Sequence, residues 1–145
     1  MRYVLLVSHG EFAPGLQKAI EMLAGSNRED LLAISLKNGM GADEFAVQVK
    51  ELLSEKIGED DEIAMFADIV GGSPLTTAAN VIAEMGLLGR TVMVGGMNLP
   101  LVLSTLLSKD FAEDFGEYVR SQMIPEAASL IQEFKVAEDE ESDEI

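Results

Sequence analysis

Apolar and polar positions along this chain follow two alternating periods, and each switch between them marks an element. Tyr3, Val4, Leu5, Leu6 and Val7 form one continuous apolar run that stops at Ser8-His9-Gly10. That is the pattern of a strand buried on both faces of a sheet. From Pro14 to Ala24 the period lengthens, with Leu16, Ala19, Ile20 and Leu23 on one helical face. Leu31 to Leu36 predicts a second strand, and Ala42 to Ile57 a second helix striped by Phe45, Val49, Leu52 and Leu53. Gly58-Glu59-Asp60-Asp61 predicts a turn into a third strand, Ile63 to Ala67. Ser73-Pro74 predicts the next helix start, a capping residue followed by proline at the first helical position. That helix runs to Met85, and Gly86 and Gly89 punctuate its end. Thr91 to Val94 predicts a fourth strand, and a helix follows Gly95-Gly96-Met97-Asn98-Leu99-Pro100. A last helix is expected over Glu117 to Glu133, and a short final strand over Phe134 to Ala137.

Strand and helix alternate from end to end, which implies parallel β-α-β units joined by right-handed crossovers. The expectation is a single doubly wound α/β domain with a mainly parallel central sheet. At 145 residues the chain has the length of one domain, and it carries neither an internal repeat nor an interdomain linker.

Charge and composition narrow the function classes. Acids outnumber bases 26 to 10, for a net charge of −16, and the apolar fraction is 48%. Six acids (Glu138, Asp139, Glu140, Glu141, Asp143 and Glu144) fall in the last eight residues, so 138–145 is expected to be a solvated, disordered acidic tail. Without them, 20 acids still face 10 bases. Such a surface disfavours nucleic acid and anionic membrane and suits a basic protein partner, with plain solubility as the bland alternative. No cysteine is present, which excludes disulfides and thiolate metal sites. No apolar run reaches the roughly 18 residues of a membrane span. Arg2 alone does not make a secretory signal, so a cytoplasmic chain is expected, with no direct membrane insertion.

The chain has one histidine, His9, at the end of the first strand. In open α/β sheets the crevice outside the carboxyl ends of the strands is where ligands bind. By itself a lone histidine at a strand end reads as structural more often than catalytic; the segment after the third strand, Asp68-Ile69-Val70-Gly71-Gly72-Ser73-Pro74, changes that. A neutral imidazole is a nucleophile when one nitrogen faces the substrate. A carboxylate accepting the proton of the other nitrogen fixes the tautomer and stabilises the substituted ring. Asp68 is the candidate for that carboxylate, against the alternative of an acid in the first turn of a helix. Gly71 and Gly72 let a backbone approach closely, and the helix N-terminus they open offers N–H groups to phosphate oxygens. Ser73 can cap that helix and donate its hydroxyl to a phosphoryl group.

Other chemistries fit less well. Walker-type and Gly-x-Gly-x-x-Gly nucleotide motifs and the Gly-x-Ser-x-Gly elbow are missing from the sequence. One histidine without cysteine cannot build a usual zinc site unless several carboxylates join it. Neither a metal nor a cofactor is expected. The eight methionines, among them Met22, Met65, Met85 and Met93, read as core filler.

Val7-Ser8-His9-Gly10, Asp68-x-x-Gly71-Gly72-Ser73-Pro74 and Gly95-Gly96-Met97-Asn98-Leu99-Pro100, in that order, resemble the enzyme IIA domains of the mannose-type sugar phosphotransferase system (PTS). The resemblance covers residues 1–137 and leaves out the acidic tail. It implies a phosphocarrier that takes a phosphoryl group from the phosphocarrier protein HPr and passes it to the IIB component of a sugar permease. On this resemblance His9 is the phosphorylated histidine and Asp68 the carboxylate that orients it. Gly71, Gly72 and Ser73 form the phosphate-binding loop. Asn98-Leu99-Pro100 borders the site without a catalytic role. The resemblance further implies a homodimer in which a C-terminal strand, here Phe134 to Ala137, joins the sheet of the partner. IIB is then expected on a separate polypeptide.

Three other readings stay open. The phosphocarrier subunit of a dihydroxyacetone kinase shares the fold and an N-terminal histidine, although Gly72-Ser73-Pro74 and Asn98-Leu99-Pro100 favour the mannose type. A tetrapyrrole metal chelatase also has a His-Gly pair after the first strand but calls for further metal-binding histidines. The third is a non-enzymatic regulatory module with a vestigial His9. A metal titration and a phosphorylation assay separate the last two from a phosphocarrier.

Overall fold

The computed structural model describes residues 1–137; the tail expected over 138–145 lies outside the described residues. Four strands, β1 (Arg2–His9), β2 (Leu31–Leu36), β3 (Glu62–Ala67) and β4 (Thr91–Val94), form one sheet in the order β2-β1-β3-β4. All three pairings are parallel, with Val4 opposite Leu31, Val4 also opposite Ala64, and Met65 opposite Met93. Period-two alternation divides the central strands between two cores. Val4, Leu6, Ala64 and Phe66 pack on one side with α1 (Phe12–Ala24), α4 (Leu99–Ser108) and the C-terminal helical segment. Tyr3, Leu5, Val7, Ile63, Met65 and Ala67 pack on the other with α2 (Ala42–Lys56) and α3 (Ser73–Glu84). This is the doubly wound α/β arrangement expected from the alternation of periods. The chain leaves β1 towards β2 and then crosses back to β3, so the loops after β1 and β3 part from each other there. That switch point opens the crevice typical of such sheets.

The end of the helical region departs from expectation. It begins at Phe115, not Glu117, and runs through α5 (Phe115–Tyr118), a π turn (Val119–Met123) and α6 (Ile124–Ser129). It stops four residues before Glu133. Pro125 lies just past the π turn; without an N–H it cannot donate to an upstream carbonyl, and wider hydrogen bonding accommodates that gap. Phe134 to Ala137 does not form a strand within the chain: residues 131–137 carry no regular secondary structure and are exposed. No strand ladder among the described residues takes them up.

Burial corrects two smaller readings. On α1 the buried positions are Ala13, Leu16 and Ile20, and Ala24 rather than Leu23 continues the face, leaving Leu23 61% exposed. Met65, Met97 and Met123 fill the core as expected, whereas Met22 and Met93 are exposed. Periodicity registers that a residue is apolar but not whether an element lies over it.

An ionic cluster closes the end of the sheet opposite the β1 carboxyl terminus. The buried Lys109 places Nζ 3.0 Å from Asp30 Oδ2, and Arg28 grips the same carboxylate through two hydrogen bonds of 3.0 and 2.9 Å. Burial alone would raise the Asp30 carboxyl, but the hydrogen bonds from Arg28 and Lys109 outweigh it and hold that group below the ordinary carboxylate range.

Candidate functional site

The β1 carboxyl terminus sets His9 at the mouth of the sheet. Its neighbour Ser8 is buried, and Ser8 Oγ accepts the Ala13 N–H at 2.7 Å while donating to His9 O at 3.0 Å. The hydroxyl thus caps α1 from outside the helix, a task Glu11 at the cap position does not perform. Gly10 makes the turn between them in the left-handed region, φ +53, where a side chain would be strained. In the sequence Ser8 stands at the end of an apolar run and within Val7-Ser8-His9-Gly10, with no role of its own. A serine between strand and helix is the signal that it anchors both.

Asp68 arrives from the neighbouring strand. Beyond the last register pair, Val7 with Ala67, the Asp68 N–H donates to Val7 O at 3.3 Å and turns the chain over the end of β1. The Asp68 carboxylate accepts three times. Oδ2 takes the His9 backbone N–H at 2.9 Å and lies 2.8 Å from His9 Nδ1, and Oδ1 takes the Ile69 N–H at 2.9 Å. Burial would push this carboxyl up; the His9 amide, the His9 ring and the Ile69 amide together hold it below the ordinary range. The Asp68 side chain is only 14% exposed and the His9 side chain 48%, so the imidazole is fixed on one edge and open on the other.

Gly71 and Gly72 are not equivalent. A Cβ on Gly71 would meet nothing within 4 Å, whereas one on Gly72 would fall 2.7 Å from His9 Cε1. Gly72 is therefore filled by the imidazole itself. It is also the residue that caps α3, so Ser73 and Pro74 occupy the first turn and Ser73 is not the cap that the sequence predicts. The Ser73 hydroxyl is released from that duty. In the fourth loop Asn98 caps α4, its Oδ1 accepting the Leu101 N–H at 2.9 Å, which accounts for Asn98 without a chemical role.

The fold thus brings His9, Asp68, Gly72 and the first turn of α3 together. Among the described residues no group of three or more His, Asp or Glu side chains is placed to hold a metal ion, and no helix is long and apolar enough to cross a membrane.

Comparison with known proteins places the chain beside components of one transport system. The EIIA-man family model, described as the PTS system fructose IIA component, matches residues 3–123. The fructose-specific EIIA component of the PTS of Bacillus subtilis is 32% identical over 103 residues, 71% of this chain and 67% of that protein. The mannose-specific EIIAB component of Escherichia coli K12 is 26% identical over 116 residues. The match takes in 80% of this chain but about a third of that protein, 34%. Among solved structures, a PTS IIA protein associated with the fucose utilization operon of Streptococcus pneumoniae superposes with a TM-score of 0.75 at 25% identity, over 91% of this chain and 92% of its own. The mannose/sorbose-specific IIA subunit of Enterococcus faecalis gives 0.77 at 21% identity, over 95% and 98%, and speaks for the fold alone.

Proposed function

Since this chain belongs to the EIIA-man family of PTS IIA components, we propose that His9 is a phosphoryl acceptor, charged by phospho-HPr and discharged to a IIB component during sugar uptake. The observation that carries this reading is the 2.8 Å pairing of His9 Nδ1 with Asp68 Oδ2 on an otherwise exposed ring. With Nδ1–H donated to the carboxylate, Nε2 keeps its lone pair and faces outward.

The transfer follows from that tautomer. The Nε2 lone pair forms the new P–N bond, and the electron pair of the old P–N bond returns to the imidazole of the donor. His9 becomes a positively charged ring whose Nδ1–H remains on the Asp68 carboxylate. One P–N bond replaces a similar one, so positioning and charge stabilisation are the main requirements. The first-turn N–H groups of α3 have no intrahelical acceptor. With the Ser73 hydroxyl they are suited to the phosphoryl oxygens, as at other helix N-termini that bind phosphate. In this reading Gly71, Gly72 and Ser73 form the phosphate-binding loop and the carrier works in the cytoplasm.

A homodimer belongs to the same reading. β4 has a free edge, and the exposed segment 131–137 contains Ile131, Phe134 and Val136 with no partner in the described chain. An edge strand of one subunit laid beside β4 of another would satisfy both.

The test is transfer of labelled phosphate from phosphoenolpyruvate through enzyme I and HPr, followed by peptide mapping. Acid-labile label on the peptide containing His9 is the expected result. Absence of label from a folded chain, with HPr itself labelled, would refute the proposal.

A further inference from the structure

Gly95-Gly96-Met97 takes no part in the chemistry above, yet it lies against the loop that carries Asp68 and Gly72. The β3–β4 ladder ends at the pair Phe66–Val94. Past it the two loops are joined by a hydrogen bond from Met97 N–H to Ala67 O, 3.0 Å, immediately before Asp68. Gly95 is pressed against the same loop. A Cβ placed on Gly95 would be 2.9 Å from Val70 N, 3.0 Å from Val70 Cα, and closer still to Val70 Cγ2. Gly95 is not in the left-handed region, unlike Gly96 at φ +81, so its missing side chain answers to space rather than to backbone conformation.

Val70 is 69% exposed and belongs to neither core, so the contact does little for domain packing. Its effect falls on the loop. Asp68 lies two residues before Val70 and Gly72 two residues after. The Cβ position of Gly72 is 3.2 Å from Ile69 Cδ1 and 2.7 Å from His9 Cε1. Contacts therefore run from Gly95 to Val70, along the loop to Gly72, and from Gly72 to the imidazole.

We propose that Gly95 is a positioning residue for phosphoryl transfer, acting through Val70 to hold the Asp68–Gly72 loop against His9. The inference rests on reading His9 as the phosphoryl acceptor. An added methyl group obliges Val70 to retreat to the 3.4 Å of ordinary contact, and because Val70 is exposed the loop can yield outward while the core stays intact. Reacting groups displaced by a fraction of an ångström lose rate steeply, about tenfold to a hundredfold.

The experiment compares the full chain with Gly95→Ala, Gly95→Ala/Val70→Ala and Gly89→Ala, whose added methyl enters open space. Two readouts are taken: transfer of labelled phosphate from phospho-HPr, and the ¹⁵N shifts of the His9 ring. In Gly95→Ala we expect the tenfold to hundredfold loss, displaced ring shifts and an unchanged circular dichroism spectrum. The double variant should recover part of the rate, and Gly89→Ala should match the parent. A Gly95→Ala chain that matches the parent in rate and ring shifts overturns the inference, as does one that has lost its fold. A parent chain that accepts no phosphate overturns the phosphocarrier reading instead, and the ring shifts still judge the link from Gly95 to His9.

Discussion

Asp68 holds His9 by two bonds to one oxygen: Oδ2 accepts the His9 main-chain N–H at 2.9 Å and sits 2.8 Å from Nδ1 of the same residue. The carboxylate thereby fixes both where the residue is and which way its ring faces. Removing the carboxylate leaves the nucleophile but loosens its tautomer and its seat. His9→Ala should accept no phosphate, since the sequence holds no second imidazole. Asp68→Ala should be slow, by less than the roughly 10⁴-fold seen when a buried protease triad loses its aspartate, because water can partner an exposed ring. Labelled transfer with circular dichroism checks both. A wild-type rate in Asp68→Ala would take Asp68 out of the mechanism.

The lowered Asp68 carboxyl gives a pH dependence of definite sign. In the unfolded chain an aspartate titrates near about 3.9, and in the fold the His9 and Ile69 hydrogen bonds hold it lower. Its contribution to stability is therefore present above the unfolded value and disappears as pH falls through the folded one. A carboxyl ¹³C titration should place the Asp68 midpoint below that of a model peptide. The stability gap between parent and Asp68→Asn should close as the solution is acidified through that range. A midpoint at or above the model value would contradict the hydrogen-bonded geometry.

Gly72→Ala should cut transfer by about a hundredfold, the scale of a misplaced reacting group, because the new Cβ would lie 2.7 Å from His9 Cε1. Gly71→Ala is the matched comparison, with nothing within 4 Å of its Cβ, and should lose far less. Equal losses in the two variants would mean that ring placement is not what Gly72 provides.

Asp30→Ala should destabilise the fold by about 3 kcal/mol, the usual scale for stranding one partner of a buried pair; the Lys109 side chain it abandons is 3% exposed. Urea unfolding would measure the loss. Transfer by the chain still folded should match the parent, since the cluster lies at the far end of the sheet from His9. A change under about 0.5 kcal/mol, typical of surface sites, would show that Lys109 finds adequate compensation elsewhere.

Sedimentation equilibrium should find a homodimer at micromolar concentration, and charged substitutions at Phe134 and Val136 should shift it towards monomer. Deleting 138–145 should leave both melting temperature and phosphoryl acceptance close to the parent, since six like charges there repel one another. A purely monomeric parent chain would remove the dimer from the reading.

Much of this fold was legible in the chain because burial writes itself into periodicity. Leu31–Leu36 and Thr91–Val94 appear as strands with the bounds the apolar runs predict, and β1 is apolar without a break from Tyr3 to Val7 because helices cover both of its faces. His9 and Asp68 could be named from their positions after strands one and three. Their meeting could only be expected, since it depends on β1 and β3 being neighbours in the sheet, 59 residues apart in sequence. Three things were decided by tertiary structure alone. Gly72, not Ser73, caps α3, because helix phase is set by how the β3 loop packs on His9. Leu23, Met22 and Met93 are exposed because apolar character does not tell which element lies above. Gly95 is held to a glycine by Val70, a residue 25 positions earlier, and no local pattern records a contact across two loops. Local propensity and period set each element, while the spaces between elements exist only once the sheet is assembled.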